Sequence, residues 1–504
     1  MSKKKKKNRI TLISLIGILV ILTGFYVWYL NRDKFGNNNE TSDEDTSLIM
    51  ATMDPELIDT IHYKNENADM TFIKENDTWV YVDDKERPIR QNYIQNMINL
   101  IDEIKADRIV IENPDDLGQY GLTDPFASIK ATQSDGKSVY LLIGNEVTGG
   151  NGYYAKLEGN DTVFILPTIY ATNLSYSDVN MTQVENGPSI ISNNIYHIEV
   201  TKKDGEDFEL LYDPDSEYHV AGTPLLSWAI LKPYEEPYAA DSSKVTELLD
   251  DFTNFYFLSC VDYKASDFSK YGLDEPLATI FVEYYEEREE ELEKPETDPD
   301  TGEEITKKTV REDKSFKLYV GNKDDKGNYY VRKDGDNAVY TMTPSYVDAM
   351  LEIDIFNLMS SFVSIHNIEN IERVDIDISG RPYTMEIKRE VTTDEEGNEE
   401  TVATYYYNGK EAKEDVFKEV YQAMIGAKYD TQLKEEVSVE GLQPVLTITY
   451  RYKDTGETYT SKYYPYDESF YLVDTGYPIR FTADKRKIDA IIKAIREFKK
   501  SDEE

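Results

Sequence analysis

The chain has 504 residues, 40% hydrophobic and 30% charged, enough for about three domains with cores of their own. Its formal net charge of -42 repels phosphate backbones, which argues against nucleic-acid binding and for simple solubility or a cationic partner. The one cysteine, Cys260, excludes an internal disulfide, a cysteine zinc site and a dithiol redox centre, and its apolar neighbours Phe257, Leu258 and Val261 mark it as a small buried hydrophobe.

Residues 1–9 form a cytoplasmic basic cap with Lys3, Lys4, Lys5, Lys6, Lys7 and Arg9. Residues 10–30 carry no charge and are long enough to span a bilayer as a helix of about 20 residues. Trp28 and Tyr29 stand at the far end, where aromatic rings favour the membrane interface. The lysines set the orientation, so this is a signal-anchor with the N-terminus cytoplasmic and the body extracellular. A cleaved signal peptide would be shorter and end in small residues. No cysteine follows to carry a lipid. Residues 31–47 are polar and acidic, with little to bury, and read as a disordered tether.

The first repeat unit is expected over residues 53–180. Alternating apolar residues at 58–63 and 71–74 predict strands, and Trp79 to Val82 closes a hairpin. Tyr93, Ile94, Met97, Ile98, Ile101 and Ile104 have helical spacing after Pro88. Tyr120-Gly121-Leu122-Thr123-Asp124-Pro125 follows, then strands at 127–131 and 139–143, a Gly144-Asn145 break and a hairpin from Tyr153-Tyr154 to Leu166.

The second unit, 190–354, repeats that order. Trp228 stands 149 residues after Trp79, and Tyr271-Gly272-Leu273-Asp274-Glu275-Pro276 stands 151 residues after the first motif. Gly321-Asn322 and Tyr329-Tyr330 follow in step. Self-similarity at a long period indicates a copied unit. The second unit adds a loop at 286–311, whose Asp298-Pro299-Asp300-Thr301-Gly302 resembles the start of a calcium loop but lacks the remaining ligand spacing. It reads as a protruding hairpin with Glu on one arm facing Lys on the other.

The third unit, 362–500, is degenerate. It keeps Gly441-Leu442-Gln443-Pro444 but has lost the tyrosine, the tryptophan and the Gly-Asn break. It closes in a helix with Ile488, Ile491, Ile492, Ile495 and Phe498 on one face, as a capping repeat would. The fold class is therefore α+β: one N-terminal transmembrane helix, then tandem repeats of a mainly antiparallel-sheet unit with one principal helix each.

In the repeated motif, Gly permits a left-handed backbone, Leu plugs a core, Pro sets the start of the next strand and Tyr packs its ring. The series Trp, amphipathic helix, Tyr-Gly-Leu-x-x-Pro, Gly-Asn and Tyr-Tyr resembles the bacterial domain-of-unknown-function 4340 family over most of residues 53–354. That resemblance implies an anchored extracytoplasmic protein accompanying ABC-2-type transporters of the gliding-motility kind, and it offers no catalytic residues.

No metal-binding histidine spacing, nucleophile elbow, phosphate loop or dinucleotide fingerprint is present. His62, His197, His219 and His366 are scattered and read as strand-edge or surface residues. No catalytic, cofactor-binding or metal residues and no cofactor are expected. The expectation is a non-enzymatic accessory or scaffold protein beside ABC transporter subunits. A cell-wall or glycan-binding module using strand tyrosines is one alternative. A hydrolase with an unrecognised carboxylate site is the other.

Overall fold

Apolar residues alternate along the predicted strands, and the computed structural model turns that alternation into sheets. It describes residues 48–214, 227–297, 304–393, 399–434, 437–477 and 480–498. The basic cap, the predicted span with Trp28 and Tyr29, the tether, and the turn at 298–302 lie outside the described residues. Among the described residues no helix is long and apolar enough to cross a membrane.

The first set of elements is β1 (Leu48–Thr52), β2 (Ile58–Asn65), β3 (Ala68–Glu75), β4 (Thr78–Tyr81), α1 (Gln91–Ile101), β5 (Glu103–Ala106), β6 (Arg108–Glu112), β7 (Ala127–Gln133), β8 (Ser138–Glu146), β9 (Tyr153–Leu157), β10 (Thr162–Leu166), α2 (Thr168–Leu174) and α3 (Asp178–Met181). Then come β11 (Ile195–Lys202), β12 (Phe208–Tyr212), β13 (Trp228–Lys232), β14 (Tyr238–Ala239), α4 (Ser242–Leu249), β15 (Ser259–Asp262), β16 (Ala278–Thr297), β17 (Glu304–Lys323), β18 (Tyr329–Lys333), β19 (Val339–Met342), α5 (Pro344–Leu351) and α6 (Ile355–Leu358). The last set is β20 (Ile371–Ile378), β21 (Arg381–Thr393), β22 (Glu399–Tyr407), β23 (Lys410–Ala412), α7 (Glu414–Ile425), β24 (Thr431–Gln432), β25 (Leu446–Tyr452), β26 (Thr458–Pro465), β27 (Phe470–Asp474), β28 (Phe481–Asp484) and α8 (Lys485–Glu497).

Three large sheets share one strand order. They run β4-β3-β2-β7-β8-β9-β10-β6, then β14-β13-β12-β11-β16-β17-β18-β19-β15, then β23-β22-β21-β20-β25-β26-β27-β28-β24. The strand pairings among the described residues are antiparallel, for example β7 with β8, β16 with β17 and β25 with β26. A small fourth sheet pairs β1 with β5. The fold is thus α+β and built of repeated, mainly antiparallel sheets. The third sheet is complete in topology although its sequence landmarks are worn. Even a local irregularity recurs: the first long strand slips register at Ile58/Thr60, Ile195/His197 and Ile371/Arg373.

Contacts divide the described residues into two compact units, one of residues up to 66 with 95–175, the other of residues 67–94 with those from 176 on. In the second unit, Val245 and Leu249 of α4 are buried in one cluster with Ile198, Val200, Leu210, Ile230, Ile280 and Val282. Alternate residues of β16 face that core while Glu283 faces away, the period of two that a half-covered sheet requires. The 286–311 insertion continues β16 and β17 as a ribbon, with Glu290 opposite Lys308 at 3.8 Å and Glu289 reaching the diagonal Lys307 at 2.8 Å.

Two readings of the sequence need correction. The α1 helix stops at Ile101, and Ile104 lies in β5, where it pairs with Ala51 of β1. Its spacing of three from Ile101 fits a helix, but the ladder with β1 wins. Gly144-Asn145 does not break β8. It forms a bulge within it, and Gly321-Asn322 does the same in β17.

Also within the second unit, the segment at 352–363 is bridged twice near its end, Met359 to Ala240 and Phe362 to Lys428. Phe481 of β28 is 1% exposed and belongs to the core cluster of the preceding sheet. Its ring lies 4.2 Å from Tyr429, 6.0 Å from Tyr238 and 6.2 Å from Phe356. The second and third sheets therefore share packing. Phe481→Ala should cost about 3–5 kcal/mol in urea unfolding. It should also split a single transition for these two sheets into two, read by tryptophan fluorescence from Trp228 against far-ultraviolet circular dichroism.

Candidate functional site

The topology sets a problem for the chain. After β6 or β15, at one edge of the sheet, it must return to the centre to form β7 or β16. The return passes across three strands. The Tyr-Gly-Leu motif makes this crossing. Gly118–Tyr120 and Ser269–Tyr271 are single 3-10 turns, started by Asp116 and Asp267 side chains accepting from backbone amides at 2.7 and 2.9 Å. Each ends on a glycine in the left-handed region, Gly121 at φ 67 and Gly272 at φ 68.

The crossing chain lies almost in backbone contact with the bulge it passes. A Cβ on Gly144 would sit 2.1 Å from the Tyr120 carbonyl oxygen, and one on Gly321 would sit 2.3 Å from that of Tyr271. In return, a Cβ on Gly121 would strike Asn145 at 2.4 Å, and one on Gly272 would strike Asn322 at 2.6 Å. Leu122 and Leu273 are buried beneath the turn. The motif tyrosine meets the second tyrosine of the next hairpin edge-on, Tyr120 to Tyr154 and Tyr271 to Tyr330, both at 5.0 Å. The Tyr271 hydroxyl also donates to Asp262 at 2.9 Å. Pro125 and Pro276 are half-buried before the next strand. Pro276 borders a shallow hollow of about 330 Å³, where Lys203 pairs with Glu275 at 2.8 Å.

Trp79 and Trp228 sit in equivalent strands and are both buried. Gln91 clamps the Trp79 backbone from both sides, accepting its N–H and donating to its carbonyl at 2.9 Å each. The motif residues thus converge on a turn-and-bulge lock, and the two tryptophans lie elsewhere, on the hairpin beside the helix.

The densest group of titratable side chains is on the outer face of the second sheet. Glu199 and Glu209 are cross-strand neighbours, a like-charge pairing that costs stability alone. Lys232 reaches both, at 2.5 and 2.9 Å. His197 takes Glu283 on Nδ1 at 2.6 Å and Glu209 on Nε2 at 3.2 Å. Burial alone would raise the Glu209 carboxyl, but the hydrogen bonds from Lys232 and His197 outweigh it and hold the carboxyl below its ordinary range. The hydrogen bonds to Glu199 and Glu209 push the Lys232 ammonium up. Both ring nitrogens of His197 are thus held by carboxylates. The carboxylates diverge around the ring, and no group of three or more histidine, cysteine or acidic side chains is placed to hold a metal ion among the described residues. The equivalent third-sheet position, Arg373, binds Asp375 at 2.8 Å and Glu386 at 2.7 Å. The arrangement is a cross-strand ion network.

His197 lies on a central strand rather than an edge, and so does His62. His219 lies outside the described residues. His366 is buried, 3% exposed, under the rings of Tyr450, Tyr452 and Tyr459. Its Nδ1 meets the Tyr452 hydroxyl at 2.9 Å, and its Nε2 has no partner. The tyrosine runs split likewise: Tyr405, Tyr407, Tyr463 and Tyr464 are buried, while Tyr466 is exposed.

A second contact set had no place in the motif reading. Among residues of the second compact unit, Tyr263 donates to Asp84 at 2.5 Å and Lys264 pairs with Glu86. The bond to Asp84, with burial, pushes the Tyr263 hydroxyl up to about 12. Gln183 and Arg90 exchange backbone bonds with Pro88 and Met181. The next loop down the chain repeats the arrangement, with Tyr234 donating to Gln432 at 3.1 Å. A signal was present: each loop runs from tryptophan to proline with one spacing, Trp79 to Pro88 and Trp228 to Pro237.

A family model described as a domain of unknown function, DUF4340, matches residues 79–276 and again residues 228–444. Together the two matches cover more than half of the chain, and the chain belongs to that family. No curated protein and no solved structure gives a significant match. Each family match opens on a tryptophan and closes on the proline of the following repeat's motif.

Two outcomes follow from these sites. Gly144→Ala or Gly321→Ala should destabilise by at least about 3 kcal/mol, because backbone must move. Gly441→Ala, with φ 80 but nothing within 4 Å of its Cβ, should cost only the left-handed strain of about 1–2 kcal/mol. Chemical denaturation of the three variants checks the order. For His366, burial lowers the imidazole from 6.5 to about 4. The unfolded chain then binds a proton that the fold refuses, so stability is full above pH 6.5 and falls towards pH 4, by about 3 kcal/mol from this group. His366→Phe should flatten that part of the stability–pH curve, measured by urea melts from pH 7 to 4.

Proposed function

We propose that this member of the DUF4340 family is a non-enzymatic extracytoplasmic accessory or scaffold protein, held in the membrane by residues 10–30 and working beside an ABC-type transporter. The observation that carries the scaffold part is the contact set repeated in the second compact unit, where one loop from a sheet engages the edge strand of the next, Asp84 with Tyr263 and Tyr234 with Gln432. Side chains able to do chemistry are spent on such joints and on cross-strand networks. The membrane part rests on the charge-free stretch after the lysine cap, long enough to span and flanked for one orientation. The transporter part rests on the family resemblance alone.

Crosslinking in intact cells at native expression, followed by detergent solubilisation and affinity purification of the full chain, tests the reading. The expected result is a membrane fraction holding this chain with transporter subunits. Recovery in the soluble fraction would remove the anchor, and recovery from membranes with no membrane partner would remove the transporter role. External protease should digest the body and spare the N-terminal cap.

A further inference from the structure

The outer edge strands of the three large sheets are not treated alike. In the second sheet the edge is β15, and Tyr263 at its end is engaged by Asp84. In the third it is β24, only two residues long, with Gln432 taken by Tyr234. In the first sheet the edge is β6, five residues with both termini and both isoleucines exposed. Ile109 is 41% and Ile111 38% exposed, whereas Cys260, which holds the Ile109 position in the second sheet, is 2% exposed. Among the described residues no strand pairs with the outer side of β6. An exposed apolar edge of this kind is a template for another strand.

The sequence of β6 is Arg108-Ile109-Val110-Ile111-Glu112. It is complementary to itself when reversed. Two copies laid antiparallel about Val110 would set Arg108 against Glu112 of the second copy, Ile109 against Ile111, and Val110 against Val110. Both charged ends would be paired and all three apolar positions would face apolar partners, the cross-strand matches that stabilise a ladder. Neither Arg108 nor Glu112 has an ion-pair partner among the described residues. A two-fold pairing is also the closed kind of contact, which cannot propagate into fibres. The bulge at Val110 limits the ladder to this short stretch and blunts the edge towards unmatched strands.

We propose that β6 is a self-association edge, and that two copies of this chain pair through antiparallel β6 strands centred on Val110. The proposal does not depend on the membrane or transporter reading, because the matching residues all lie in the folded body. Directly opposed residues in an antiparallel pair have Cα atoms about 4.5–5.5 Å apart, within the range a disulfide spans.

The test uses the full-length chain with Cys260→Ser, which leaves no other cysteine, and adds Val110→Cys. Mild oxidation should give a disulfide-linked dimer on a non-reducing gel. Arg108→Cys alone should give at least about tenfold less dimer, since those two positions would lie four residues apart along the ladder. Mixing Arg108→Cys copies with Glu112→Cys copies should restore crosslinking. In the Val110→Cys background, Arg108→Glu should cut the dimer about tenfold through like-charge opposition, and adding Glu112→Arg should bring it back. Circular dichroism on each variant establishes that the fold is kept. Absence of a Val110 dimer, equal crosslinking from Arg108→Cys alone, or indifference to the charge swap would each overturn the proposal.

Discussion

The close approach of two backbones is the constraint on which the first two large sheets depend. Strand order places the last-formed edge strand three strands away from the centre, and the chain must come back across that gap. A crossing held at side-chain distance would leave the centre uncovered. Here the crossing turn drops to backbone distance, which only glycine on both sides permits: Gly121 and Gly144 in one sheet, Gly272 and Gly321 in the next. The bulge in β8 and β17 follows from the same demand. It swings a glycine under the turn carbonyl, and the adjacent asparagine fills the space beside the turn glycine.

The third sheet shows that these parts are one device. Its motif position before Gly441 is Glu440, and no register slip interrupts β26. The place of Gly321 is taken by Tyr464, and the place of Tyr330 by Leu472, both buried. Gly441 touches nothing and Leu442 is 44% exposed, against 4% and 3% for Leu122 and Leu273. Tyrosine, glycine bulge and ring partner have gone together, because each without the others would leave a hole or a clash. The sheet keeps its strand order without the lock. Its core is dense in large buried rings, among them Tyr421, Tyr450, Tyr463 and Phe417, and Phe481 and Tyr429 pack into the preceding sheet. A repeat supported from a neighbour can lose an internal fastening.

Much of this was legible in the sequence. The recurrence of Trp79, Tyr120-Gly121-Leu122 and Gly144-Asn145 at Trp228, Tyr271-Gly272-Leu273 and Gly321-Asn322 marked the first two large sheets in order. Alternation located most strands, since a half-covered antiparallel sheet leaves a period of two. What failed had physical causes. Ile104 satisfied a helical period and yet lay in a strand, because pairing with β1 is a long-range contact that no local pattern carries. The third sheet looked worn because two of its lost landmarks, the tyrosine and the Gly-Asn pair, belonged to the lock and not to the strand order. The His197 network was invisible, since its members come from four strands whose register depends on the slip at Ile195/His197. His366 looked like a surface residue because nothing nearby in sequence announces the three tyrosine rings that bury it.

The limits of the two family matches carry the last step. If the sheet alone were the unit of similarity, a match would begin at β2 or β11 and end before the next sheet. Each match instead begins at the strand tryptophan and runs into the motif of the following repeat. The stretch so enclosed contains the loop that engages the next edge strand, the linking segment, and the turn that locks the next crossing. Similarity therefore spans the joint between repeats rather than stopping at it. In the second compact unit that joint carries specific contacts: Asp84 with Tyr263, Tyr234 with Gln432, Tyr238 with Phe481. Within the second compact unit, specific polar contacts thus fall in the stretches that the family matches enclose, while Glu199, Glu209, Glu283, Lys232 and His197 are tied into a ladder.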